Sequence, residues 1–549
     1  MPTLSLLDRA DSITKMESEM FDLAIIGGGI TGAGVARDAA SRGMRVALIE
    51  GKDFASGTSS RSSKLIHGGI RYLENLEFGL VFEALSERQR LSEMAPHLVH
   101  PLRFMIPIYK TGRVPAWKMG LGMMAYDALS LFEAPELHQF YNSEELSVEL
   151  PLLRTKDLSG GFSYADAYMD DDRLVLETLR SARAHGAEIA NYVKAVGAVM
   201  DSGRVRGIEC TDLEANHTFV LSARHIVSSV GPWTDRLGQT LFKEWKRVLR
   251  PSKGVHLTFP LARFPLKDAV VMGAESRIVF AIPRQDMVIV GTTDTDFSLD
   301  PSQVRTETED VDYLLRVIES YFPGTRIRAE DVIGCYAGVR PLLDDGAQTE
   351  SKTSREHAIW TERHGVTFVA GGKYTTYRNM AQQTVETVMA QMPIEDRVRF
   401  SQTRTLEPLN PLITDTLWTR AKTEHKMWSE QAGLHSRISE KLAERHGLEG
   451  RTILLQGLSE NLRSTNAEEW LWCAESLHAM DHTMCLHLSD FFFRRTPLVL
   501  SRRDHGIPFA AAVSEVMSSR LGWNKTRELE EINALQNQLQ WELAATISS

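Results

Sequence analysis

The sequence has no long apolar run. No stretch of roughly 18 or more apolar residues occurs among its 549 residues, and the first twenty lack the apolar core of a signal peptide. This pattern excludes a membrane-spanning helix and predicts a cytoplasmic location. Residues 1–20, which contain Met16 and Met20, are predicted to be a flexible N-terminal arm.

Cysteine is also scarce. The four cysteines form no CxxC pair and have no metal-ligand spacing, and no histidine pair stands in an HExxH pattern. A disulfide framework is therefore excluded, a reducing cytosolic setting is indicated, and no metal is predicted.

Positive charge does not predominate. Lys and Arg number 62 against 72 Asp and Glu, a formal net charge of −10, which argues against broad nucleic-acid binding. With 43% hydrophobic and 24% charged residues the composition is that of a globular protein. The length suggests roughly three or four domain-sized units.

A glycine-rich segment follows the first apolar run. Residues 21–26 read as a buried parallel strand that stops at three glycines. Gly27, Gly29 and Gly32, with Gly28 among them, fit the dinucleotide fingerprint of a tight turn, a close approach of pyrophosphate and a closely packed helix. Small residues over 30–42 suit that helix, whose amino end presents N–H groups to phosphates.

The next strand ends on an acid. Residues 44–49 form the predicted strand, and Glu50 stands where an acidic residue accepts the ribose hydroxyls. A polar loop over 57–64 comes next. Because the loop follows the ribose-binding position, we interpret part of it as cofactor contacts rather than as a linker: Ser62, Ser63, Lys64 and Leu65.

The remaining chain divides by pattern. Alternating strands between about 245 and 335 predict a substrate-binding sheet inserted into a discontinuous dinucleotide-binding part, about 21–100, 160–235 and 335–400. Helical periodicity predicts an all-helical C-terminal domain over 401–549. The expected fold is thus α/β and Rossmann-like, with an inserted antiparallel sheet and a C-terminal helical domain.

Five stretches together resemble one family. They are Gly-Gly-Gly-Ile-Thr-Gly-Ala-Gly, Ser-Ser-Lys-Leu-Ile-His-Gly-Gly-Ile-Arg-Tyr-Leu-Glu, Val-Gly-Thr-Thr-Asp, Gly-Val-Arg-Pro-Leu and Gly-Gly-Lys-Tyr-Thr-Thr-Tyr-Arg, in that order. Over residues 21–381 the chain resembles the FAD-dependent, respiratory (aerobic) glycerol-3-phosphate dehydrogenases. The C-terminal helices are similar to that family's cap domain.

The resemblance implies a reaction and its partners. It implies FAD as cofactor, oxidation of sn-glycerol 3-phosphate to dihydroxyacetone phosphate, ubiquinone or menaquinone as electron acceptor, and a peripheral location on the cytoplasmic face of the inner membrane. A homodimer is compatible with it, and nucleic acid is not an expected partner. Gly231, Gly372 and Thr375 are implied as further FAD contacts. Ser229 and Val230 stand where the family usually has Ala-Thr, so at that turn only the Gly231 backbone is carried over.

Oxidation of a secondary alcohol needs a base and positive charge. The proposed base is His256, which shares a strand face with Gly254, where a missing side chain leaves room for a ligand. A hydrogen-bonded core histidine is the other interpretation, and His67 is the rival base.

Arginine and lysine suit a phosphate. The family's substrate pocket implies four such residues: Arg71, Arg340, Arg355 and Lys373. Arg340 is also assigned to the catalytic group, because an alkoxide at C2 would need the same charge.

Residues 104–132 mix apolar and basic side chains. Trp117, Met123 and Met124 are flanked by Lys110 and Lys118, which is typical of an interfacial segment, although a core helix with an exposed rim fits as well.

Other functions stay open at this point. They are a glycerol-3-phosphate oxidase that uses oxygen, an FAD-dependent amine or 2-hydroxy-acid dehydrogenase, and a non-enzymatic FAD-binding regulatory or RNA-modification module. The last would need a basic surface, which the net charge does not suggest.

Overall fold

The computed structural model describes residues 3–75, 77–112, 114–131, 135–274, 277–344, 346, 356–462, 464 and 466–547. Of residues 71, 74, 75 and 547 it describes the backbone alone.

The described residues form strands of 2 to 12 residues. In chain order they are β1 Phe21–Ile26, β2 Val46–Ile49, β3 Leu65–Ile66, β4 Val99–Tyr109, β5 Gln139–Tyr141, β6 Leu158–Met169, β7 Glu188–Ala190, β8 Val193–Asp201, β9 Arg204–Asp212, β10 His217–Ser228, β11 Ser252–Pro260, β12 Ala269–Ala274, β13 Arg277–Arg284, β14 Met287–Gly291, β15 Thr295–Asp296, β16 Gly334–Arg340, β17 His357–Thr361 and β18 Val366–Gly371.

The helices concentrate in the last third of the chain. They are α1 Leu6–Ser18, α2 Ile30–Ser41, α3 Phe78–Met94, α4 Ala116–Leu129, α5 Ser143–Glu149, α6 Asp171–Ala184, α7 Thr234–Leu241, α8 Thr308–Tyr321, α9 Tyr377–Met389, α10 Ile394–Arg399, α11 Asp415–Ala432, α12 Ser436–His446, α13 Glu449–Ser459, α14 Ala467–His482, α15 Leu488–Arg494, α16 Leu498–Ser501, α17 Ala510–Leu521 and α18 Lys525–Ile547.

The first sheet is the dinucleotide-binding part. Its strand order is β17-β18-β10-β1-β2-β7, with β8 and β9 attached beyond β10. β1 pairs in parallel with both β10 and β2, and every residue of β1 is buried. The apolar run before the glycines is therefore a central parallel strand, as the sequence predicted.

The second sheet is wider than the sequence predicted. Its order is β15-β11-β14-β13-β12-β4-β6-β3, with β16 on β11 and β5 on β6. The expected bounds of about 245–335 were wrong at both ends, because β4 pairs with β6 from Val99 to Tyr109 and β16 continues to Arg340. Parts of the segments assigned to the dinucleotide-binding part (21–100, 160–235 and 335–400) thus belong to this second sheet.

The prediction of a flexible N-terminal arm was wrong. Residues 6–18 form α1, which Ser5 and Asp8 start with a capping box. Ile13 and Met16 are buried against the first sheet, and the Arg9 guanidinium forms a buried ion pair with Asp212. Burial of these apolar side chains gives the segment a fixed position.

Helices α11 to α18 confirm the predicted C-terminal helical domain, and with the two sheets they confirm the predicted fold class. In α14 the side chains of Trp470, Cys473, Ala474 and Leu477 are buried.

The interfacial segment predicted over 104–132 is two different elements. Residues 104–109 lie in β4 and are buried, and Met123 on α4 is buried as well. The other face of α4 exposes Trp117, Leu121 and Met124, which are 70%, 59% and 60% accessible. Within the described part of the chain, no helix is long and apolar enough to cross a bilayer.

Candidate active site

A cavity of about 800 Å³ opens where the carboxyl ends of the parallel strands face the second sheet. Ligands of open α/β sheets bind at this edge. The structure brings most of the predicted residues to its wall: Gly27, Gly29, Glu50, Ser62, Ser63, Leu65, Gly231, His256, Arg340, Gly372, Lys373 and Thr375. Gly28, Gly32 and Lys64 lie behind that wall. Arg71 is described only by its backbone, in a 3₁₀ turn over Ile70–Asn75, and Arg355 lies outside the described residues.

Two glycines shape the turn from β1 into α2. Gly27 has φ +112°, and a Cβ on it would lie 2.7 Å from the Ser229 carbonyl oxygen. A Cβ on Gly32 would lie 2.6 Å from Ser229 Oγ and would also meet the Gly27 carbonyl oxygen. The first turn of α2 can therefore pack directly on β1 and β10. Gly29 is the N-cap of α2 and adds no capping side chain, which leaves the helix terminus to the cavity.

Glu50 lies at the end of β2, as expected of a ribose-binding acid. Its carboxylate accepts the Gly28 N–H at 2.7 Å and the Lys52 N–H at 2.9 Å. Burial raises the pKa of this carboxyl group. The two N–H donors fix its orientation beside the glycine turn.

The polar loop is held by a buried acid that the sequence analysis missed. Asp171 Oδ2 accepts the Ser62 hydroxyl at 2.7 Å, and its other oxygen forms a buried ion pair with Lys64. The Lys64 side chain therefore supports the loop from behind. Ser59 Oγ, which accepts the Ile30 N–H at 3.0 Å, ties the loop to α2.

His256 lies on β11 and is 2% exposed. Its Nε2 is 2.8 Å from Ser63 Oγ, and its ring stacks on Tyr336 with centroids 4.8 Å apart. Among the described residues its Nδ1 has no hydrogen-bond partner. Burial and the nearby charges of Arg340 and Lys64 lower its pKa well below the ordinary value. The imidazole is thus neutral at neutral pH and able to accept a proton.

Arg340, at the end of β16, is fixed in position by the loop after β14. Its Nη2 donates to Thr292 Oγ1 at 2.8 Å, and its Nη1 donates to Asp294 Oδ1 at 3.1 Å. The expectation that Gly254 leaves room for a ligand needs correction. A Cβ on Gly254 would meet the Arg340 guanidinium, so the missing side chain makes room for arginine.

The closing turn after β18 brings a cation and a hydroxyl to the cavity. The Lys373 ammonium lies 3.7 Å from the centroid of the Tyr72 ring. Thr375 Oγ1 accepts the His67 N–H at 3.2 Å and donates to the His67 carbonyl oxygen at 3.3 Å. His67 is therefore held by its backbone next to the cavity, while His256 is the buried histidine beside Arg340.

The wall of the cavity is electropositive although the chain is acidic. It carries two acids, Glu50 and Asp300, against six cations. The cations are Lys52, Arg61, Lys194, Arg236, Arg340 and Lys373. Three of them form ion pairs, Arg61 with Glu542, Arg236 with Asp300 and Arg340 with Asp294, and the three lysines still outnumber Glu50. Such a surplus favours anionic ligands such as phosphates and pyrophosphates.

The C-terminal domain binds the loop between β2 and β3 through a carboxylate of that loop. Asp53 is 1% exposed and binds two guanidinium groups. Arg495 Nη1 and Nη2 donate to it at 2.6 and 2.8 Å, and Arg494 Nε donates to the same carboxylate. These charges lower the pKa of Asp53 to about 2.

A second ion pair connects the loop to the C-terminal domain further along the chain. Arg61 pairs with Glu542 of α18, while Cys335 Sγ donates to the Glu542 carbonyl oxygen at 3.1 Å. The segment from Asp53 to Arg61, which lines the cavity, is thus held at both ends by helices of the C-terminal domain.

One further cluster has metal-ligand chemistry. His446, Glu449 and His478 are buried, with ligand atoms within 4.8 Å of one another. Both Glu449 oxygens accept from Arg180, at 2.5 and 3.0 Å. A guanidinium therefore already occupies the carboxylate that a cation would need.

The residues at the main cavity fit FAD. The glycine turn admits a pyrophosphate, and the amino end of α2, where Gly29 adds no capping side chain, and the cations of the wall favour its charge. The cavity also has the volume of a large cofactor site. Family comparisons agree: the sequence model of FAD dependent oxidoreductases matches residues 22–378, and that of the C-terminal domain of alpha-glycerophosphate oxidase matches residues 412–528. Fold and site define a flavin-dependent oxidoreductase.

Individual relatives narrow this class. The aerobic glycerol-3-phosphate dehydrogenase of Bacillus subtilis (strain 168) is 35% identical over 546 residues, with 97% of each chain covered. That of Staphylococcus haemolyticus is 33% identical over 542 residues, covering 96% of this chain and 97% of the relative. The structure of the glycerol-3-phosphate dehydrogenase from Bacillus halodurans complexed with FAD has a TM-score of 0.79 at 30% identity and covers 98% of both chains. The chain belongs to the aerobic glycerol-3-phosphate dehydrogenase family and is an FAD-dependent enzyme.

Proposed function

We propose that the enzyme oxidises sn-glycerol 3-phosphate to dihydroxyacetone phosphate and passes the electrons to a membrane quinone, ubiquinone or menaquinone. The observation that carries the proposal is a neutral, buried histidine beside a fixed arginine in an electropositive cavity. An alcohol that bears a phosphate requires both groups. The names of the relatives support the same substrate.

His256 takes the proton of the substrate's C2 hydroxyl in this proposal. Its low pKa keeps the imidazole unprotonated, and Ser63 at 2.8 Å fixes the ring through Nε2. Stacking on Tyr336 limits rotation of the ring. Such positioning of a general base contributes roughly 10²- to 10⁴-fold to a rate.

Arg340 and Lys373 stabilise negative charge in the proposal. Asp294 and Thr292 orient the Arg340 guanidinium, and Tyr72 positions the Lys373 ammonium through its ring face. A phosphate has close to two negative charges at pH 7 and needs such partners once it leaves water. Arg71 and Arg355 stay assigned to the same pocket on the family resemblance alone.

FAD, when bound, supplies hydride acceptance from C2 and onward electron transfer. The residues proposed to hold it are Gly27, Gly28, Gly29, Gly32, Glu50, Ser62, Ser63, Lys64, Leu65, Gly231, Gly372 and Thr375. Gly231, with φ +54°, lies at the cavity wall.

The exposed face of α4 is the proposed contact with the cytoplasmic face of the inner membrane. Trp117, Leu121 and Met124 follow one another at spacings of four and three residues and so share one side of the helix. Lys118 is exposed beside them. An apolar face flanked by a cation suits the headgroup region of an anionic bilayer.

Replacing Arg340 by methionine tests the substrate assignment. The loss of one charge-assisted hydrogen bond should lower the affinity for glycerol 3-phosphate, measured by flavin reduction, roughly 10- to 150-fold. The reduction of the flavin by glycerol should change little. Arg340→Lys keeps the charge, so its rate of flavin reduction by glycerol 3-phosphate should lie between those of the wild type and of Arg340→Met. Equal losses for both substrates would move Arg340 to the C2 alkoxide, and no loss would end its role in phosphate binding.

The acceptor is tested on the reduced enzyme. A water-soluble quinone should reoxidise the flavin much faster than dissolved oxygen does at equal concentration. Faster reoxidation by oxygen, with peroxide formed, would make the protein an oxidase.

A further inference from the structure

A second cleft lies between the second sheet and the C-terminal domain. Its volume is about 790 Å³, and among the described residues none lines both this cleft and the main cavity. One side consists of His97, His100, Tyr168 and the start of α6, and the other of α11, α12 and α14. A cleft of this volume, at the junction of two domains, has the size and place of a small-molecule site.

The cleft is electropositive. It is lined by four acids, Asp170, Asp286, Glu444 and Glu468, and by six cations, Arg173, Lys422, Arg437, Lys441, Arg445 and Arg502. The whole chain has a net charge of −10, so this surplus is a local feature. An anion is the ligand that it favours.

Two of the cations are not neutralised by a carboxylate. The Lys422 ammonium lies 3.5 Å from the centroid of the Trp418 ring, and Arg437 is exposed at the start of α12. Within the described ranges, neither has an acidic group in ion-pair distance. By contrast, Arg445 pairs with Glu475 at 2.9 Å and Arg502 pairs with Glu468 at 2.8 Å.

Buried polar groups at the cleft have unmet hydrogen bonds. Trp472 is 6% exposed, and its Nε1, which can only donate, has no partner among the described residues. His97 is 2% exposed, and neither of its ring nitrogens is hydrogen-bonded to a described residue. Burial, helped by Arg173, lowers the pKa of His97 well below the ordinary value, so the ring is neutral. Such groups call for a ligand with acceptor oxygens.

Aromatic rings form one wall of the cleft. The ring centroids of His100 and Trp418 lie 5.4 Å apart, and those of His100 and Tyr168 lie 4.9 Å apart. A planar heterocycle can stack on such a wall while its phosphates face the cations.

We propose that this cleft binds an organic phosphate with a planar ring, of nucleotide size, at a site separate from the flavin and substrate cavity. When the ligand binds, the Lys422 ammonium leaves the face of the Trp418 ring and contacts the phosphates together with Arg437, and the ligand ring takes its place on Trp418 beside His100. This site is independent of the proposed oxidation.

Isothermal titration of the FAD-saturated enzyme tests the proposal. The probes are ADP, pyrophosphate and adenosine, which separate the contributions of ring and phosphates. FAD saturation keeps ADP out of the cofactor site. The expected order of affinity is ADP, then pyrophosphate, then adenosine. Tightest binding by adenosine, or no binding of ADP at millimolar concentration, would overturn the proposal.

Matched variants locate the site. Lys422→Glu combined with Arg437→Glu should lower the affinity for ADP at least about tenfold, because two charges that attract the phosphates become repulsive. Lys426→Glu reverses an exposed charge on the same helix outside the cleft and should leave the affinity unchanged. Trp472→Phe keeps an aromatic ring but removes the Nε1 donor and part of the ring system, and should reduce the affinity for ADP roughly two- to tenfold. Equal affinity in the double variant and in Lys426→Glu would place ADP elsewhere and refute the assignment.

Discussion

Replacing Asp53 by asparagine should loosen the loop that lines the flavin cavity. The substitution keeps the shape of the side chain but removes the charge that Arg494 and Arg495 share. Arg495 would then lose its carboxylate partner in a buried site, while Arg494 would keep only its ion pair with Asp490 at 2.7 Å. Removing one partner of a buried ion pair costs about 3–5 kcal/mol of folding free energy.

The pKa of Asp53 gives a second measure of this interaction. A value of about 2, against an ordinary 3.8, corresponds to roughly 2–3 kcal/mol of stabilisation. Because the folded pKa is the lower one, this stabilisation is complete above about pH 4 and is lost as the pH falls towards 2. The wild type should therefore lose part of its stability in that window, and Asp53→Asn should not show this component.

The effect on the cofactor follows from the position of the loop. If FAD must order a loosened loop when it binds, a loss of about 3 kcal/mol weakens FAD by up to about 100-fold. Titration of the apoenzyme with FAD, followed by flavin fluorescence, measures this affinity. Asp268→Asn serves as the control, since it weakens a partly buried ion pair with Arg103 away from the cavity. If Asp53→Asn and the control lose stability alike while both keep wild-type FAD affinity, the C-terminal domain does not position the loop.

Three further predictions concern the cavity and the membrane face. Gly32→Val should give colourless protein, because the valine side chain would meet the Gly27 carbonyl oxygen. Bound FAD is quantified after denaturation, and a normal flavin content would contradict the role of the glycine turn in binding FAD. His256→Ala should keep FAD and slow substrate-driven flavin reduction by roughly 10²- to 10⁴-fold in stopped flow. A near-normal rate would instead favour His67 as the general base. Leu121→Asp should reduce flotation of the protein with anionic liposomes. The control Leu529→Asp, which replaces an exposed leucine on α18, should not reduce it. Equal flotation of the two variants would show that α4 does not contact the membrane.

The parts of the site that could be predicted from the sequence are those with local signals. A buried strand, three glycines, a small-residue helix and a terminal acid lie within thirty residues, and their spacing reflects the geometry of one turn. The capping pair Ser5 and Asp8 was a local signal too, and it indicated the helix α1 that was expected to be a flexible arm.

Long-range contacts could not be predicted in this way. Asp53 and its arginine partners lie 441 and 442 positions apart, and no periodicity joins a loop to a helix at that distance. Likewise, a glycine on a strand indicates space without saying what fills it. At Gly254 the occupant is the Arg340 guanidinium, which only the pairing of β11 with β16 brings there.

The central claim is that this enzyme removes a hydride from sn-glycerol 3-phosphate and transfers it to its flavin. Anaerobic mixing of the FAD-containing protein with glycerol 3-phosphate, glycerol, lactate or glycine, followed by visible absorbance, tests it most directly. Rapid bleaching of the flavin by glycerol 3-phosphate, with slow or no bleaching by the other three, is the predicted result. Bleaching by lactate or glycine, with glycerol 3-phosphate inert, would contradict the account.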